Sequence, residues 1–193
     1  MRNGIVDRST KETEIHVEWN LDGEGNADIS TGIGFFDHML ELMTFHSSTD
    51  LTVRANGDLD VDDHHTVEDT GIAMGTAFKE ALGDRNGINR YGFFVLPMDE
   101  CLAETAIDIS GRPYLVFNCP FTRDQIGMLS SEMIEEFFRA FAVASGVTLH
   151  VNLRYGQNDH HKAEAVFKSF GRSVMQAVQV NGDRVPSTKG MLE

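Results

Sequence analysis

The apolar positions of this chain recur with two spacings, and the order in which those spacings alternate repeats once. Residues 13–20 and 26–31 read as strands about a turn at Asp22-Gly23-Glu24-Gly25, since alternation bounded by glycine is what a half-buried hairpin needs. Residues 35–43 then follow a helical spacing and residues 50–54 alternate again. After a Gly-Asp loop, Ile72, Met74, Ala77, Phe78 and Leu82 return to the helical spacing. The second half runs the same way. Strands are predicted within 93–109 and over 114–118, about Ser110-Gly111-Arg112-Pro113. A helix over 132–141, a strand over 148–153 and a helix carrying Val166, Phe167, Phe170, Val174 and Val178 follow.

Each half therefore predicts strand, strand, helix, strand, helix. Amphipathic helices need a sheet face to bury against, so the expected fold is α+β, a two-layer α/β sandwich duplicated within one domain over 1–193. The repeats would be about 1–90 and 91–193, joined near the Gly- and Asn-rich segment 83–92. The halves are expected to pack about a pseudo-twofold axis.

The last helix of each half opens on the same motif. His64-His65-Thr66-Val67-Glu68 recurs as His160-His161-Lys162-Ala163-Glu164, each after an Asp. On a helix, positions i and i+4 share a face, while i+1 points about 100° away. His64 with Glu68 can thus hold one ion while His65 serves another, and the same applies to His160, Glu164 and His161. One such motif is weak, because histidines are also common helix-cap and hydrogen-bonded core groups. Two at matching positions point to two metal ions, each drawing on both halves, and the axis would bring the motifs together. Aligning Leu51 with Leu149 pairs His38 with Glu136. That gives one quartet of His38, His65, His160 and Glu164 and another of Glu136, His161, His64 and Glu68. Histidine with carboxylate suits Zn, Mn, Fe, Co or Ni, and positions left open on the ions imply catalysis. His46, at the end of the first predicted helix, is a further candidate.

Composition narrows the partners. With a net charge of −14, neither nucleic acid nor an anionic membrane is an expected partner. No apolar run reaches membrane-spanning length. Two cysteines, Cys101 and Cys119, form no disulfide framework and suit a reducing, cytoplasmic setting. The cations that stand in loop contexts are Arg90, Arg112 and Lys189, the last within Ser187-Thr188-Lys189-Gly190. Lys168 lies four residues after Glu164. Arginine forks, a lysine and hydroxyls beside glycine are what a phosphate monoester requires.

Five runs in order resemble the imidazoleglycerol-phosphate dehydratase family over essentially the whole chain. They begin at Gly34, Asp63, Asp108, Asn158 and Pro186 and read Gly-Phe-Phe-Asp-His-Met, Asp-His-His-Thr-Val-Glu-Asp, Asp-Ile-Ser-Gly-Arg-Pro, Asn-Asp-His-His-Lys-Ala-Glu-Ala and Pro-Ser-Thr-Lys-Gly. The resemblance implies a fold like domain 2 of ribosomal protein S5, two Mn²⁺ per active site, and a homo-oligomer of 24 subunits built from trimers with sites at subunit interfaces. It implies dehydration of imidazole glycerol phosphate to imidazole acetol phosphate in histidine biosynthesis. It places metal ligands on His38, His64, His65, Glu68, His160, His161 and Glu164. Substrate contacts fall on Glu12, the segment from His38 to His46, Arg90, Arg112, Lys168, Ser187, Thr188 and Lys189. Glu12 is the candidate proton carrier, beside the catalytic set His64, His65, Glu68, His160, His161 and Glu164. Glu136 stands where many relatives carry a metal-binding histidine. The alternative is a dinuclear metallohydrolase acting on a small phosphate ester, which a carboxylate-bridged, Asp-rich ligand set would favour.

Overall fold

The computed structural model describes residues 2–190 and 192. The elements run β1 (Asn3–Ser9), β2 (Thr13–Asn20), β3 (Ala27–Ser30), α1 (Gly34–Ser47), β4 (Asp50–Gly57) and α2 (His64–Leu82). The second set is β5 (Tyr91–Met98), β6 (Cys101–Asp108), β7 (Tyr114–Asn118), β8 (Gln125–Ile126), β9 (Leu129–Ser130), α3 (Glu132–Ser145), β10 (Thr148–Tyr155) and α4 (Asp159–Val178). Two four-stranded sheets result, ordered β1-β2-β4-β3 and β5-β6-β10-β7. In each, only the third strand of the set pairs in parallel, because a helix carries the chain back to the same end before the next strand. The duplicated α+β architecture is thus the expected one, with one strand more in each four-stranded sheet and the short β8–β9 hairpin besides. β1 was missed, and the hairpin β5–β6 was read only in part, within 93–109.

In β2, Thr13, Ile15, Val17 and Trp19 point inward while Glu14, His16, Glu18 and Asn20 point outward, the period-two pattern of a half-buried strand. Each half is a layer of helices on its own sheet, and the two helix layers meet in the core. The Trp19 ring lies 5.2 Å from Phe78 and 6.0 Å from Phe141. Phe137 lies 5.3 Å from Phe36 and 5.5 Å from Phe167.

Across the halves, α2 packs on α3 and α4 on α1. Glycine permits both approaches. A Cβ at Gly75 would stand 2.6 Å from the Phe141 carbonyl oxygen, and one at Gly171 would stand 2.5 Å from that of Met43. The helices that carry the two His-His motifs are therefore each paired with the other half's first helix. Within one chain the pseudo-twofold does not bring the motifs onto each other. The physical reason is the glycine faces, which seat α2 and α4 on different partners.

Candidate active site

The α1–α4 pair builds the first cluster. His38 projects from α1, and His160 and Glu164 project from successive turns of α4. His38 Nε2 lies 3.3 Å and His160 Nε2 2.8 Å from Glu164 Oε1. These three donor atoms lie within 4.8 Å of one another. Lys168, one turn further on, donates to Glu164 Oε2. Burial pushes the Glu164 carboxyl up, but hydrogen bonds from Lys168, His160 and His38 outweigh it and hold the group at about 2. A carboxylate held ionised at neutral pH beside two imidazole nitrogens is a ligand set that fits a divalent cation.

The α2–α3 pair builds the counterpart. His64 Nε2 lies 3.6 Å from Glu68 Oε2. Glu68 and Glu136 line one cavity of 450 Å³ between the two helices. Glu136 also approaches Arg139 Nε at 3.4 Å, but that guanidinium sits closer to Glu135, at 2.5 Å.

His65 and His161 stand apart from these clusters and share a different device. Asp58 accepts from His65 Nδ1 at 3.0 Å, and Glu100 from His161 Nδ1 at 2.8 Å. Each bond raises the pKa of its imidazole, and the charge of Glu12 adds to that of Asp58 at His65. A carboxylate on Nδ1 fixes the ring and leaves Nε2 as the ligand atom. Glu100 is itself held well below the usual carboxylate range, first by the Asn158 backbone N–H and then by His161.

A family model for imidazoleglycerol-phosphate dehydratase matches residues 31–174. The enzyme of that name from Clostridium botulinum is 59% identical over the full length of both chains, and that from Clostridioides difficile 56%. The solved structure of the Staphylococcus aureus enzyme superposes with a TM-score of 0.84 at 39% identity, covering 93% of this chain and 99% of that one. The Pyrococcus furiosus structure also reaches 0.84, at 34% identity, covering 97% and 100%. This chain belongs to the imidazoleglycerol-phosphate dehydratase family. It is a hydro-lyase of the same type as its relatives.

In this family member the basic residues divide into two groups. Arg90, Arg112, Ser187, Thr188 and Lys189 line a cavity of 640 Å³ with Tyr91 and Ser110. Arg90 is anchored there. It donates to both Asp108 oxygens, at 2.7 and 3.2 Å, and to the Pro186 carbonyl at 3.0 Å. Lys168 belongs instead with Glu164, and His46 lies close to it. Burial lowers the His46 pKa, and the positive charges of Lys168 and Arg172 lower it further.

The two groups occupy opposite ends of one hairpin. Arg90 precedes β5 and Asp108 ends β6, whereas Glu100, which holds His161, sits in the turn between them. Seven strand steps separate the ends, roughly 23 Å at about 3.3 Å per residue.

Asp58, Glu100 and Asp108 were not among the residues expected from sequence. Glu100 carried a signal. It follows Glu12 by 88 positions, the offset at which Ser9↔Glu14 in the first hairpin matches Pro97↔Leu102 in the second.

Proposed function

We propose that this protein dehydrates D-erythro-imidazole glycerol phosphate to imidazole acetol phosphate, a step of histidine biosynthesis, in the cytoplasm and with two Mn²⁺ per active site. The observation that carries the reading is the convergence of His38, His160 and Glu164, with Glu164 held ionised. We assign one ion to these three residues with His65, and the other to His64, Glu68 and Glu136 with His161. Divalent ions held by these residues would supply Lewis-acid polarisation of the substrate's imidazole ring, the chemistry that eases departure of the neighbouring hydroxyl.

The chain's own residues do the rest. Arg90, Arg112, Ser187, Thr188 and Lys189 bind the phosphate and fix the side chain of the substrate. Arg90 also holds the tail carrying Ser187 in place through the Pro186 carbonyl. Glu12, exposed in the β1–β2 turn beside His65, moves the proton between carbon and solvent. Asp58 and Glu100 hold the Nδ1 side of His65 and His161, so that Nε2 is the atom each ring offers to an ion. A small substrate cannot span roughly 23 Å between the two ends of the β5–β6 hairpin. We therefore infer that each site joins residues from different copies in a homo-oligomer, the 24-subunit assembly of trimers.

The test is incubation of purified, Mn²⁺-loaded protein with the substrate, with metal analysis alongside. Ketone formation with about two Mn²⁺ per chain is expected. Release of free phosphate instead would favour a metallohydrolase, and a stoichiometry near one with full activity would sink the two-quartet assignment.

A further inference from the structure

The two halves differ most between their third strand and the helix that follows. In the first half three residues, 31–33, join β3 to α1. In the second, thirteen residues, 119–131, join β7 to α3 and include the β8–β9 hairpin. Ile126 and Leu129 root this segment in the core at 2% and 1% exposure.

Its two ends are gripped by the same residue of the repeated motif. Asp63, just before His64, accepts from the Ser130 backbone N–H at 2.6 Å and from the Ser130 hydroxyl at 2.9 Å. Asp159, just before His160, accepts from the backbone N–H groups of Thr122 and Arg123 at 2.8 and 2.7 Å and from the Thr122 hydroxyl at 3.0 Å. Lys162 Nζ then joins Asp159 Oδ1, at 2.7 Å, to the Pro120 carbonyl, at 3.0 Å. Asp159 and Lys162 are buried, at 2% and 3% exposure.

An aspartate at a helix start ordinarily caps its own helix. Here other side chains do so, because Asp62 accepts from the His64 N–H and Asn158 from the His160 N–H. Both motif aspartates are thereby released to hold one segment that exists only once. The helices they begin are not packed on each other, and the first turn is where a helix frays most readily.

We propose that residues 119–131 form a strap that fixes the two His-His turns relative to each other, and that Asp63, Asp159 and Lys162 are positioning residues for the imidazoles of those turns. This rests on the metal-binding reading given above. The strap touches neither substrate nor ion. It acts by holding His64 and His65 at one end and His160 and His161 at the other in a shape already suited to binding.

The test measures Mn²⁺ affinity by titration, together with amide hydrogen exchange in the metal-free protein. The paired change Asp159→Ala with Lys162→Met removes the accepting oxygens without stranding a buried charge. Its Mn²⁺ affinity is expected to fall roughly 10-fold or more, as for other residues that orient metal ligands. Exchange should quicken in the first turn of α4 and stay unchanged in β6 and β10. Asp63→Ala should do the same for α2. Thr122→Val leaves the ion pair intact and covers the case in which the paired change fails to fold. It should weaken Mn²⁺ binding, and Thr122→Ser should restore it. Wild-type affinity and wild-type first-turn exchange in Thr122→Val and Asp63→Ala would overturn the proposal. So would a uniform rise in exchange across the whole chain. A wild-type protein that binds no Mn²⁺ would instead remove the metal reading on which the strap depends.

Discussion

Glu164 meets two imidazoles on one oxygen and an ammonium on the other, so at that single residue the charge balance of the first cluster is set. The second cluster is built differently. Glu136 faces the cavity it shares with Glu68, and the nearby Arg139 sits closer to Glu135. A ligand set with two carboxylates favours a hard ion. Glu136→Ala is expected to lose one of two Mn²⁺ equivalents, and Glu136→His to keep both, read by metal analysis after gel filtration. Loss of both ions, or of neither, would detach Glu136 from the second site. Glu12 has no part in either cluster and touches His65 only through its charge. Glu12→Gln should cut turnover by roughly 100-fold or more, the lower end of what a positioned acid–base group contributes. Metal content and melting temperature should stay as in the wild type. Near-normal turnover would make Glu12 a spectator.

At the scale of elements, much of the fold was legible in the chain, and each miss has a physical cause. β2 was read over its full length because four inward positions alternate with four polar ones. β1 was not, since Gly4, which lies against the Ala77 carbonyl of α2, supplies a buried position with no side chain to announce it. The β5–β6 turn consists of Asp99 and Glu100, with Asp99 at a φ of 46°. It lacks the Asn-Gly or Asp-Gly pair by which such turns are recognised. The i, i+4 contacts of His64 with Glu68 and of His160 with Glu164 followed from helix geometry alone. The partners of His65 and His161 did not, because Asp58 and Glu100 are joined to them by tertiary contacts that no local pattern records.

Asp50 Oδ1 gathers the Glu24 and Asn26 backbone N–H groups and the Asn26 side chain at 2.9 to 3.0 Å. The first of these bonds dominates and lowers the Asp50 pKa. Because the folded value lies below the unfolded one, this contribution is complete above the ordinary carboxylate range. It disappears as pH falls through the folded value. Asp50→Ala should cost about 1–2 kcal/mol at neutral pH, and its unfolding midpoint should converge on that of the wild type in acid. A gap that persists at low pH would contradict the sign. Gly171→Ala should overpack α4 on α1 and cost about 1–3 kcal/mol by denaturant titration. No change in midpoint would show that the helices part without strain.

On the scale of the whole molecule, the length of the β5–β6 hairpin sets how the protein works. It keeps the Arg90–Arg112–Lys189 cavity at one end of a chain and the His161 turn at the other, so in the proposed homo-oligomer a chain would supply its two hairpin ends to different reaction centres. Two variants, each inactive alone, can then rescue one another. Arg112→Ala spoils the pocket and His160→Ala spoils the cluster. Unfolded together and reassembled in equal amounts, they should yield centres in which an intact pocket meets an intact cluster. With random mixing about one centre in four would be whole, so the mixture should recover roughly a quarter of wild-type activity, while the same variants mixed without dissociation stay inactive. No recovery after co-assembly would mean that pocket and cluster act within a single chain, and that the hairpin bends far more than its strand pairing allows. Recovery would also make a damaged subunit recessive, because the proposed homo-oligomer would keep every centre to which that subunit does not contribute its damaged end.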